Sequence, residues 1–233
     1  MGAKTWMLVY GDGDVSEALR ASPTLDRDAT RALVARLHPR HQLTELEDGT
    51  LLENANPPDG RVYAGCFSGV TVLCTGEVGI DYPSRLDQRF LDVAEGRTVY
   101  LHAMHSVVDW FAYAIWTGGK LTRALSLSPD SGILENIGQP LPFEARYWAG
   151  EQAMEREPDE PPYPLPFHPL ELAEDALRAL FGFNYEGVTN PGDPVLESIA
   201  LAGFTVQPRS GWRSWLAALK GQKRNSRTPE NPS

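Results

Sequence analysis

Two aspartates, Asp12 and Asp14, follow an apolar run in "LVYGDGDVSEAL", residues 8–19. A carboxylate just past a strand can hold a divalent cation, and a second one converging on it lets two cations clamp a phosphate. Glu47 or Asp48 would supply that partner, making Mg²⁺ or Mn²⁺ the cofactor of a phosphoryl-transfer or hydrolytic enzyme. The same aspartates also have a purely structural use. Asp12-Gly13 is turn chemistry, and Asp14 stands three residues before Glu17, the spacing of a capping box that opens a helix at SEALR. No glycine-rich, lysine-containing phosphate loop accompanies them.

A second constellation is His102, His105 and Asp109 in "LHAMHSVVDW". On a helix the two imidazoles would share a side and a metal. On a strand an offset of three sends them to opposite faces. One strand over residues 97–117 would be about 70 Å long, so a break near His105 or Ser106 is expected, and a bend there brings His105 towards Asp109. Nothing marks a third ligand, although His168 is available. Glu144, Arg146 and Trp148 in "PLPFEARYWAG" are candidates to line a pocket, on a loop that Pro140 and Pro142 would stiffen. Nucleophilic catalysis has no anchor: there is no G-x-S-x-G, and neither Cys66 nor Cys74 has an adjacent histidine. Both cysteines lie in apolar, strand-like sequence and read as buried, reduced and structural.

The last stretch carries a different signal. Residues 207–229 contain Arg209, Arg213, Lys220, Lys223, Arg224 and Arg227 and no acid. In SGWRSWLAALKG, Ser210 can cap a helix whose one stripe holds Trp212, Trp215, Leu216 and Leu219. Such a helix docks on a partner or an anionic membrane surface, or packs on the protein's own acidic body. The net charge is −10 although these bases are included, so the body repels nucleic acid. At 42% hydrophobic and 22% charged residues the chain reads as soluble and globular, and no apolar run approaches the roughly 20 residues that span a bilayer.

These residues need elements to hold them. Residues 4–10 read as a buried strand, and 26–37 as a helix with Pro39 ending it. Asp48-Gly49 sits between two alternating runs, a hairpin signal. VYAGCFSGVTVLC is β structure, and PSRLDQRFLDVAEG is a helix. RTVYLHAMHSVVDWFAYAIWTGGKLTRALSLS is β structure turning at Gly118-Gly119. Pairing outward from that turn sets Thr117 against Lys120, Trp116 against Leu121 and Ala114 against Arg123. Both faces of the hairpin are then apolar and require cover. The order β-α-β-β-α-β predicts an α+β fold: a mostly antiparallel sheet with helices on one face, and a ferredoxin-like core with extra edge strands. Residues 1–150 form this sheet domain. Residues 151–206 form a proline-rich arm and helical extension, with a helix from Pro169 to a stop at Gly182 and a short strand at GFTVQ. Residues 207–233 form the basic helix and a disordered tail.

Over roughly residues 1–206 the chain resembles a family of uncharacterised actinobacterial proteins classed as a domain of unknown function. The matching segments are "VYAGCFSGV", "YLHAMHSVVDWFAYAIW", "LSLSPDSGILENIGQPLPFEARYWAG" and "YPLPFHPLELAEDALRALFGF". The resemblance implies a bacterial cytoplasmic protein and transfers no activity or site residue. The residues themselves favour a non-enzymatic binding or protein-interaction module, its pocket or partner surface near 102–109 and 135–148. Its partner would be a protein or a small molecule.

Overall fold

The β-branched and aromatic run at the N-terminus forms β1 (Lys4–Gly11), which alternates its side chains between two cores. The computed structural model describes residues 3–21, 23–154 and 163–209. After β1 come α1 (Val15–Arg20), α2 (Arg27–Leu37), β2 (His41–Glu45), β3 (Gly49–Thr50), α3 (Leu51–Asn54), β4 (Arg61–Phe67) and β5 (Val70–Thr75). Then follow α4 (Gln88–Asp92), β6 (Thr98–His105), β7 (Trp110–Thr117), β8 (Lys120–Ser128), β9 (Gly132–Ile137), α5 (Ala145–Trp148), α6 (Pro169–Phe181) and β10 (Ala200–Pro208). The strands make one ten-stranded sheet in the order β2-β10-β4-β5-β1-β6-β7-β8-β9, with β3 also on β10 and every pairing antiparallel.

Helices cover both faces of this sheet, not one. Met7 and Val9 of β1 face α1, α3, α5 and α6, whereas Leu8 and Tyr10 face α2 and α4. The reason is visible in β5, where all six residues are buried: a strand apolar on both sides needs cover on both. The local stops are those the residue types dictate. Asp26 accepts from the Ala29 amide to cap α2, and Gly182 ends α6 at φ 81°, a left-handed conformation that glycine adopts without strain.

Two expectations are corrected. Residues 41–54 do not pair with each other as a hairpin: β2 and β3 both pair with β10, and Asp48 leaves the turn to bind Arg27. The strand read at GFTVQ is present as part of β10, which runs between β2 and β4. The β7–β8 hairpin keeps its Gly118-Gly119 turn but slips by one residue at Thr122, whose hydroxyl binds the Ile115 carbonyl. Beyond that bulge Arg123 pairs with Ile115 and Ala124 with Ala114, so Arg123 faces the opposite core from the one straight pairing implied.

Candidate functional site

Residues 102–109 form a strand end and a tight turn, and they do not gather one site. The Val108 amide donates to the His105 carbonyl, and Asp109 takes φ 47° to bring the chain back at Trp110. His102 and His105 therefore fall on opposite faces. The His102 ring is wholly buried, its Nδ1 2.8 Å from the Thr5 hydroxyl and its Nε2 3.0 Å from the Ala173 carbonyl. A carbonyl only accepts, so Nε2 carries the proton and Nδ1 accepts from Thr5. Burial lowers its pKa to about 4, against a smaller upward pull from the Ala173 carbonyl. This neutral ring ties β6 to β1 and α6, and has no room for a ligand. Asp109 turns to His168, at 3.7 Å, and not to His105. His168 Nδ1 in turn accepts from the Leu170 amide at the start of α6.

The group in "PLPFEARYWAG" also separates. Glu144 is fully buried and binds Arg123, itself 1% exposed. Arg123 Nε lies 2.9 Å from Glu144 Oε1 and 3.1 Å from the Tyr113 hydroxyl, and Nη1 reaches Asn136 at 2.6 Å and the Ile137 carbonyl at 2.9 Å. Leu141 N donates to the same carboxylate at 2.7 Å, and Trp148 Nε1 at 3.0 Å. Burial alone would raise the Glu144 carboxyl, but these donors outweigh it and hold its pKa below the usual carboxylate range. Glu144 and Trp148 are thus internal bracing, not a pocket wall. Arg146 is exposed and pairs with Asp175.

Asp14 accepts from the Glu17 amide at 3.0 Å and caps α1. Asp12 lies two residues before it, on a different cleft, and Asp48 binds Arg27. Among the described residues no three His, Cys, Asp or Glu side chains converge as a metal site would require. Trp212, Trp215, Lys220, Lys223 and Arg224 lie outside the described residues.

What the turn does build is an aromatic pocket of about 300 Å³ on the α2/α4 face. Trp6, His105 and Trp110 wall it, with ring centroids 5.7 Å apart for the two indoles and 6.0 Å for Trp6 and His105. Strand register brings the rings together: β6 lies between β1 and β7, with Trp6 opposite Ala103 and His105 opposite Trp110. Burial, and secondarily Lys4, lower the His105 pKa, which keeps that wall neutral at neutral pH. Asp81 and Asp130 stand exposed at its rim and bind no basic side chain among the described residues. Trp110 Nε1 and His105 Nδ1 are buried atoms without hydrogen-bond partners. Residue-by-residue reading singled out His105 alone. The others could have been found only from the register that sets residue 6 near residue 110.

A family model matches residues 5–204, nearly the whole described chain. The chain belongs to DUF6928, a family of unknown function. No curated protein and no solved structure matches it. Membership in DUF6928 therefore brings no activity with it, and the site must be read from its own chemistry. No helix among the described residues is long and apolar enough to cross a membrane.

Proposed function

We propose that this protein is a non-enzymatic bacterial binding module of the cytoplasm, and that the pocket of Trp6, His105 and Trp110 takes an organic cation of the alkylammonium type. The observation that carries the reading is the combination of walls and rim. Two indoles and a neutral imidazole line the pocket, aromatic groups of the kind that attract a cation, and two carboxylates without basic partners among the described residues add negative potential at the mouth. A cation over an indole is worth about 0.5–2 kcal/mol, more as water is excluded. The neighbouring Val107 and Val108, both exposed, extend the apolar rim.

The test is a titration of the full-length protein with choline, followed by tryptophan fluorescence and thermal unfolding. Saturable binding is expected, with affinity reduced roughly tenfold in Asp81→Asn plus Asp130→Asn and more in Trp6→Ala. The uncharged isostere 3,3-dimethylbutan-1-ol is the control. Equal affinity for the alcohol would show that shape and not charge is read, and would end the cation reading.

We also infer a ferredoxin-like unit within the sheet, embedded in one folding unit of residues 1–206. The order β4-β5-β1-β6, with α2 and α4 on one face, supports it.

A further inference from the structure

A second cleft, of about 560 Å³, opens at the far end of the same face, between α2 and the chain that leaves α4. β1 and β6 pair as far as Gly11 with Thr98, and the next position outward sets Asp12 against Arg97. Both line the cleft, on the side of the sheet that carries Tyr10. Opposite charges at adjoining cross-strand positions ordinarily close into an ion pair. These two do not.

Arg97 is drawn away by neutral acceptors: the Thr71 hydroxyl at 2.9 Å, the Ala94 carbonyl at 3.0 Å and the Val93 carbonyl at 3.5 Å. Its guanidinium lies 5.5 Å from the centre of the Tyr10 ring. Three of its five N–H groups are thereby spent, and none binds a carboxylate among the described residues. Asp12 faces the cleft exposed and likewise without an ion-pair partner among those residues. The remaining charges, Arg36 and Glu95, neutralise each other at 2.5 Å.

The rest of the lining is apolar: Ala29, Ala32 and Leu33 of α2, with Phe67 and Val93.

We infer that this cleft binds a free α-amino acid with a large apolar side chain. Its carboxylate takes the two spare N–H groups of Arg97, its ammonium meets Asp12, and its side chain slides beneath α2. A simple anion would be repelled by Asp12 and a simple cation by Arg97. The separated pair selects the zwitterion. This site is independent of the aromatic pocket, and its failure would leave the ammonium reading intact.

The test is calorimetry on the full-length protein with L-phenylalanine and L-leucine, alongside 3-phenylpropanoate, which lacks the ammonium, and phenylalaninamide, which lacks the carboxylate. Saturable binding of the amino acids is expected, at least about tenfold tighter than either analogue. Asp12→Asn, at an exposed position, should lose about tenfold for the amino acid and bind 3-phenylpropanoate more tightly, since the repulsion is removed. Arg97→Gln should abolish binding, and Arg97→Lys, which keeps the charge, guards against a variant that fails to fold. No heat with either amino acid at millimolar concentration overturns the inference. So does binding that Asp12→Asn leaves unchanged, or 3-phenylpropanoate binding as tightly as phenylalanine.

Discussion

At the scale of single residues, the buried Arg123–Glu144 pair shows how a charge can sit in an apolar core. Taking each ion out of water costs several kcal/mol, and their attraction repays it only when the remaining polar atoms are bonded. Here Asn136 and the Ile137 carbonyl complete the guanidinium, and Tyr113, Trp148 and the Leu141 amide complete the carboxylate. Arg123→Met should therefore cost about 3–5 kcal/mol in urea unfolding, because it strands Glu144 without its counter-ion. Arg123→Met together with Glu144→Gln should cost clearly less than the single change. Single variants within about 1 kcal/mol of the parent would mean that the pair is hydrated and that the network is not internal. The same residues show what sequence reading can miss. Glu144 and Trp148 have the residue types of a pocket wall, and only the burial of Arg123 beside them makes them structural. Asp14 was legible, because a capping box is local and its partner lies three residues away.

At the scale of elements, legibility follows the range of the interaction. α2 and α6 end where Asp26, Pro39 and Gly182 dictate, since caps and stops are read within a few residues. The β7–β8 turn was legible for the same reason. The bulge at Thr122 was not, because nothing in "KLTRAL" announces an extra residue, and only the cost of an unpaired guanidinium selects it. The place of β10 was equally hidden, being set by pairings across more than a hundred residues. The aromatic pocket is itself a product of such pairing, and one neighbouring turn tests it. The 3-10 turn Gly76–Val78 delivers Gly79 against the Trp6 indole, where a Cβ would lie 2.6 Å from Cε3. Gly79 has φ −78° and ψ 76°, open to any L-residue, so Gly79→Ala acts through the ring alone. It should tilt Trp6, weaken choline binding several-fold and cost about 1 kcal/mol of stability. Unchanged choline affinity would remove Trp6 from the wall of that site.

At the scale of the whole molecule, the buried His102 ring ties the sheet to α6, and this makes stability depend on pH in a defined window. The folded ring has a pKa of about 4 and the unfolded one about 6.5, so between these values the unfolded chain holds the extra proton. Stability then rises with pH across that range. The contribution of His102 is complete above about pH 6.5 and is lost progressively as pH falls towards 4, amounting to about 3 kcal/mol for so deeply buried a group. His38, lowered chiefly by burial although Glu77 pulls it up, and His105 act in the same direction. Glu144 acts in a lower window. Its depressed carboxyl stabilises the fold above the ordinary carboxylate pKa, and that share is lost only as pH falls through its own folded value. Urea unfolding between pH 4 and pH 7.5 should therefore show loss beginning near pH 6.5. His102→Gln should be less stable at pH 7.5, because it loosens the link between Thr5 and Ala173, and should show a flatter slope between pH 6.5 and pH 4. An unaltered slope in that variant would place the proton uptake elsewhere and leave His102 without its part in joining sheet to helix.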